Sequence, residues 1–218
     1  MNAVKMLNAD CLEEMATIQD RSFPLILTDI PYGEVNRKSN GLRSLDKRDA
    51  DTASFDVAEL TRTLCGKTSG SVYMFCGINQ LSTIRSTMTE CGLSTRVIVW
   101  EKTNPSPMNG TKIWLSGIEL CAFGKRQGGG VYHGHCRNCV VRHPCGRHDL
   151  HPTQKPLALM EELIELSSNP GDMVFDPFMG SGTTGVAALR KGRGFFGIER
   201  NAEYFKVAND RVMKLAFA

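Results

Sequence analysis

Two spacings of apolar residues alternate along this chain, one of strand type and one of helix type. Ala3–Leu7 is short and apolar, and Asp10 then precedes a helical pattern carried by Leu12, Met15 and Ile18. Phe23–Thr28 has the length and composition of a buried strand, which Pro31 and Gly33 bring to an end. Helical patterns at Val57–Leu64 and Gln80–Cys91 flank a strand pattern at Ser71–Phe75. Thr95–Trp100 and Ile118–Phe123 add two further strands. A helix starts just after Pro156, a favoured entry position, and carries Leu157, Met160, Leu163, Ile164 and Leu166. The strands Met173–Phe175 and Gly194–Ile198 bracket a helix at Thr183–Arg190, and Ala202–Leu215 closes the chain as a helix. Strands in alternation with helices predict an α/β fold: a mostly parallel sheet with helices on both faces.

Two stretches break the pattern. Glu34–Thr52 is polar and aperiodic, and Gly124–Leu150 dissolves into Gly, His, Cys and Arg. Loops of that length inside a compact domain are uncommon and usually functional. The expected organisation is one domain over residues 1–218, with 34–52 and 124–150 as insertions. No internal repeat emerges at periods of 20 to 50 residues.

Composition narrows the class. At 218 residues, 41% hydrophobic and 22% charged, the chain is long enough for a sizeable core. It has no apolar run near the roughly 20 residues a membrane span needs. The first ten residues lack the cationic and apolar regions of a signal peptide, so a cytoplasmic location is expected and the eight cysteines read as free thiols or metal ligands. Net charge is only +3, but it is unevenly placed. Lys125, Arg126, Arg137, Arg142 and Arg147 fall in a stretch with no Asp or Glu, and a second basic stretch runs from Asn36 to Arg48. Two basic segments on a near-neutral body point to a polyanion, with a solvated loop surface as the plain alternative.

Candidate chemistry sits at two strand ends, where ligands bind in open α/β sheets. Asp176-Pro177-Phe178-Met179-Gly180-Ser181-Gly182-Thr183-Thr184 joins a strand to a helix, with glycines that let backbone approach a ligand. Glu199 ends the next strand, 17 residues after Gly182, and is placed to accept hydrogen bonds from ribose hydroxyls. The spacing departs from a dinucleotide GxGxxG, and no P-loop lysine follows. At the other strand end, Asp29-Ile30-Pro31-Tyr32 offers a carboxylate, backbone carbonyls and an aromatic face. That set suits an amino group on a flat ring.

Together these residues resemble the amino-methyltransferases of DNA, which take a methyl group from S-adenosylmethionine. The family's usual Asp-Pro-Pro-Tyr corresponds to Asp29–Tyr32, with Ile30 in place of the first proline. Its cofactor loop is matched at every fixed position by Asp176–Thr184. His151-Pro152-Thr153-Gln154-Lys155-Pro156 and Ala9-Asp10-Cys11 are further matches, and Trp100, Glu101, Lys102, Trp114 and Glu119 give weaker ones. Tetrapeptide first and cofactor loop last is the permuted order of the beta class.

The resemblance implies a Rossmann-like S-adenosylmethionine-dependent methyltransferase fold and a DNA adenine methyltransferase that flips its target base out of the duplex. Asp, rather than Ser, at position 29 implies the N6 amine of adenine. The alternatives are N4-cytosine methylation, or an inactive nucleic-acid-binding protein of the same fold. The implied catalytic residues are Asp29, Ile30, Pro31 and Tyr32. The implied cofactor residues are Asp10, Cys11, Thr153, Lys155, Asp176, Phe178, Gly180, Ser181, Gly182, Thr183 and Glu199, with Lys155 at the cofactor carboxylate and Asp10 alternatively a helix N-cap. Arg37, Lys38, Arg43, Arg137, Arg142 and Arg147 are the expected DNA contacts. Cys136, Cys139, Cys145 and His148 have zinc-like spacing, although no metal is required by the family. Double-stranded DNA is the expected partner, while a homodimer and a restriction endonuclease partner stay open.

Overall fold

The computed structural model describes residues 3–32, 55–107, 111–146 and 154–217. Its strands are β1 (Val4–Leu7), β2 (Phe23–Asp29), β3 (Thr68–Cys76), β4 (Leu93–Lys102), β5 (Ile118–Arg126), β6 (Val140–His143), β7 (Met173–Asp176) and β8 (Gly194–Ile198). Its helices are α1 (Cys11–Thr17), α2 (Val57–Lys67), α3 (Ile78–Glu90), α4 (Leu157–Ser167), α5 (Thr183–Arg190) and α6 (Ala202–Ala216). One eight-stranded sheet runs in the order β1-β8-β7-β2-β3-β5-β4-β6, with β5 antiparallel to both its neighbours and every other pairing parallel.

The buried strands show why the pattern folds this way. Along β2, Leu25 and Leu27 face one core while Ile26 faces the other, as the two-residue period requires. The first core joins β2 and β7 to Leu159, Leu163 and Ile164 of α4, Ala187 of α5, and Val212 of α6. The second joins the sheet to Met15 of α1, Leu60 and Leu64 of α2, and Ile84 and Met88 of α3. Helices thus cover both faces, as expected for parallel strands.

The order of strands reverses between β7 and β2. From β7 the chain crosses through α5 to β8 on one side, and from β2 it crosses through α2 to β3 on the other. Leu25 and Ile26 pair with Val174 and Phe175, so the strand ends at Asp29 and Asp176 stand side by side at this switch point. Such a crevice is where open α/β sheets bind ligands.

One expectation is corrected. The stretch from Gly124 to Leu150 is not wholly an insertion, because β5 extends to Arg126 and Val140–His143 adds an edge strand to β4. Val140–His143 offers only two apolar residues among polar and basic neighbours, so patterning gives no strand signal for β6. All eight cysteines are free thiols. No described helix is long and apolar enough to cross a membrane.

Candidate active site

At the end of β2 the tetrapeptide is clamped by backbone and side chain. Ile30 N–H donates to the Phe75 carbonyl at 3.2 Å, and Gln80 Nε2 donates to the Pro31 carbonyl at 2.9 Å. Gln80 also accepts from Gly77 N–H at 2.9 Å, so one side chain ties the tetrapeptide to the start of α3. The Ile30 side chain is buried in the second core, which accounts for an apolar residue in the proline's place. Among the described residues nothing donates to the Ile30 carbonyl, so that acceptor is available to a ligand.

Four further groups surround Asp29. Tyr32 donates its hydroxyl to Asp29 Oδ1 at 2.9 Å, and the same hydroxyl lies 3.4 Å from Glu119 Oε2. Lys155 Nζ donates to Asp29 Oδ2 at 2.5 Å and to the Tyr32 hydroxyl at 3.2 Å, and pairs with Glu119 at 3.1 Å. Lys102 holds the other side of Glu119 at 2.8 Å. Lys155 is only 7% exposed. Burial alone would depress its pKa, but Asp29 and Glu119 outweigh that and raise it, so the ammonium stays charged. Burial pushes the Asp29 carboxyl above the usual carboxylate range, with Lys155 pulling the other way. Glu119 is held low by Lys155 and Lys102 against the opposing effect of its own burial.

The second strand end is built around Asp176, which is buried. Its Oδ2 accepts from the Thr184 hydroxyl at 2.6 Å and its Oδ1 from Phe178 N–H at 3.1 Å, so the carboxylate sets the shape of the loop. Burial pushes its pKa up to about 7, against the Thr184 hydrogen bond. Gly180 and Gly182 both have left-handed backbone, φ 51° and 78°. A Cβ at Gly182 would stand 3.0 Å from that of Ala208, whereas at Gly180 it would meet open space. Glu199 Oε2 accepts from Gly180 N–H at 3.0 Å and its Oε1 from Asn201 N–H at 2.7 Å. Burial raises the Glu199 pKa against those two donors. Ser181 is held by Arg211, whose guanidinium lies 3.1 Å from the serine hydroxyl and 3.5 Å from that of Thr183.

Asp10 caps α1 by accepting from Leu12 N–H at 2.9 Å, and Cys11 is buried beneath it with its thiol pushed up to about 12 by burial and the adjacent Asp10. The pairing of β1 with β8 brings Asp10 beside Glu199: Ala9 N–H donates to the Glu199 carbonyl at 3.2 Å. The open backbone at Gly180, the carboxylates of Glu199 and Asp10, and the half-buried ring of Phe178 thus lie at the ends of neighbouring strands. This donor and acceptor set fits a nucleoside: carboxylates for ribose hydroxyls and an aromatic ring for a base.

The comparisons with known proteins match this geometry. A family profile described as DNA methylase, covering N6 and N4 methyltransferases, matches residues 110–210. The type II methyltransferase M2.DpnII of Streptococcus pneumoniae is 27% identical over 241 residues, with 97% of this chain and 90% of the relative covered. The structure of M1.HpyAVI in complex with SAM superimposes with a TM-score of 0.74 at 28% identity, covering 95% of this chain and 99% of that one. In sequence and fold the chain is thus similar to the N6/N4 DNA amino-methyltransferases. The DNA adenine methyltransferase YhdJ of Escherichia coli (strain K12) is 53% identical over 72 residues, 33% of this chain and 24% of that one. The expected methyltransferase fold is therefore what the chain adopts, and the solved relative of that fold holds SAM.

Other expected site residues of this methyltransferase distribute unevenly. Lys155, expected at the cofactor carboxylate, instead directs its ammonium to Asp29, Glu119 and Tyr32, which occupy the three protons it has. Arg137 and Arg142, expected to meet DNA, are engaged by carboxylates: Arg137 by Glu162 and Arg142 by Glu101 at 3.0 Å. Lys125 and Arg126 of the same stretch bond the Gly129 and Cys65 carbonyls. The stretch is a clasp on the body of the protein more than a row of free cations. Arg37, Lys38, Arg43, Arg147 and Thr153 lie outside the described residues, as does His148. Among the described residues no three Cys, His, Asp or Glu side chains converge on a metal position, and Cys136, Cys139 and Cys145 do not come together. Gln80 was missed by sequence reasoning, because its signal is only its place at the first turn of α3.

Proposed function

We propose that this DNA amino-methyltransferase transfers its methyl group to the N6 amine of adenine in duplex DNA. The observation that carries the reading is a tetrapeptide headed by an aspartate, followed by an Ile30 carbonyl to which no described residue donates. The close local identity to a DNA adenine methyltransferase supports it. An exocyclic amine is a poor nucleophile because its lone pair is conjugated with the ring. Asp29 accepts one amine hydrogen and the Ile30 carbonyl the other, which draws the nitrogen toward tetrahedral geometry. Both acceptors then stabilise the positive charge that develops on nitrogen.

S-adenosylmethionine, when bound, supplies an electrophilic sulfonium methyl group. Asp10, Glu199, Phe178 and the Gly180–Thr183 backbone hold the nucleoside part, and the adjacency of β2 and β7 aligns donor with acceptor. Tyr32 stacks on the base, which reaches the site only after leaving the duplex. Methylation of mixed-sequence duplex DNA, with the modified base and its context read out, tests the assignment. N6-methyladenine is the expected product, and N4-methylcytosine would refute it. Asp29→Ala should abolish transfer while S-adenosylmethionine binding persists in calorimetry.

A further inference from the structure

The segment joining β4 to β5 leaves and re-enters the sheet at the edge that carries Asp29. Trp100 pairs with Glu119 and Cys76 with Leu120, so both feet of the segment stand beside the tetrapeptide. Lys102 N–H donates to the Gly117 carbonyl at 2.8 Å and closes its base. Above that base Ile113, Trp114 and Leu115 all face water, Trp114 with 97% of its surface. Scattered exposed apolar residues are ordinary, but three large ones in succession at a tip are not, unless they meet a partner. An indole is the costliest of them to leave wet, since it forgoes the largest burial any side chain offers.

Charge identifies the partner. From Thr103 to Gly117 the sequence has no Asp or Glu, and Lys112 adjoins the apolar tip. Nothing in the segment repels a polyanion. Reach is also sufficient. Glu119 follows Trp114 by five positions, a span of at most about 18 Å, and the Glu119 carboxylate lies 3.4 Å from the Tyr32 hydroxyl. A flipped nucleotide stays tethered to its duplex, so the gap it leaves is within one nucleotide of the site.

We propose that Trp114 enters the duplex beside the target nucleotide and stacks in the space the flipped base vacates. This rests on the DNA methylation reading. Apolar side chains wedged into base steps hold a duplex open in other DNA-binding proteins, and an aromatic plane replaces lost stacking whatever the neighbouring sequence. Ile113 and Leu115 then pack against the sugars on either side of the gap.

The test uses the duplex mapped above in two forms, one fully paired and one with an abasic site opposite the target. Trp114→Ala should raise KM for the paired duplex about five- to fiftyfold. On the abasic duplex the loss should shrink severalfold, because the target is already unpaired and less has to be held open. Trp114→Phe should recover most of the loss. The chain has two tryptophans, and Trp100 is buried, so quenching of the exposed indole on duplex binding should vanish in Trp114→Phe. Equal losses on both duplexes, wild-type KM in Trp114→Ala, or a drop in its sedimentation mass relative to wild type would each overturn the wedge, the last by making the tip a contact between copies. In those cases a wild-type chain that still methylates DNA leaves the functional reading intact. A wild-type chain that methylates neither duplex overturns both.

Discussion

Lys155→Met removes a buried cation from between two carboxylates and leaves its aliphatic volume nearly unchanged. In the native protein the ammonium stands 2.5 Å from Asp29 and 3.1 Å from Glu119, with its side chain 6% exposed, so solvent screens the pair little. Breaking a buried pair by deleting one partner costs about 3–5 kcal/mol, because the surviving charge stays buried and uncompensated. The same deletion removes the influence that keeps the Asp29 pKa from rising further. In the proposed reaction Asp29 stabilises the developing positive charge on the amine fully only when ionised, so the acid limb of kcat against pH should follow its titration. That limb should move to higher pH by about 1–3 units in Lys155→Met, the usual effect of an opposite charge at such distance. The stabilisation Lys155 itself provides has the opposite dependence. Its folded pKa is above 10.5, so the contribution is complete below that value and is lost as pH rises through the folded one. Urea denaturation at neutral pH and radiolabelled methyl transfer across the acid and neutral range measure the two effects. An unmoved limb together with a stability loss below about 1 kcal/mol would refute the assignment. A large loss of S-adenosylmethionine affinity with an unmoved limb would return Lys155 to the cofactor carboxylate.

Asp176 gives a second pH signature. Its pKa is raised from 3.8 to about 7, so the folded protein holds this proton more tightly and loses stability as pH rises through that window. Asp176→Asn should remove about 2–3 kcal/mol of the wild-type difference in denaturant stability between pH 5 and pH 8. Glu199→Ala should weaken S-adenosylmethionine binding by about 1–3 kcal/mol in calorimetry and leave DNA binding in a shift assay almost untouched. Arg137→Ala combined with Arg142→Ala should leave the slope of log K against log salt nearly unchanged, since each guanidinium already pairs with a carboxylate. A slope shallower by about 2 would instead place both on DNA.

Much of this architecture is legible in the sequence because its signals are local. Strand and helix periods, the turn at Pro31 and the glycines of the cofactor loop each act over a few residues. The wiring of the site is not local. The partners of Lys155 lie at positions 29, 32 and 119, and those of Arg142 and Arg137 lie on β4 and α4. A basic stretch therefore reads as a polyanion surface until the sheet brings carboxylates to it. Lys155 likewise reads as a cofactor ligand from its motif, while the fold delivers it to the target-amine side. Edge strand β6 is hidden for a different reason: only two of its four residues are apolar, and its neighbours are Asn, Cys and Pro.

The pairing of the first strand with the last has a consequence for how the protein is made. Val4 on β1 adjoins Phe195 on β8, and β2 is flanked on one side by β7. The chain must therefore emerge from the ribosome past β7 before β2 has both neighbours or the two strand ends can meet. Until then β2 presents an open hydrogen-bonding edge, rich in Leu and Ile, to other nascent chains. Contacts at such separation slow folding and lengthen exposure to aggregation. A chain stopped before Met173 would be left with a catalytic tetrapeptide but no adjoining cofactor loop, so truncation should silence the enzyme outright instead of loosening its cofactor specificity.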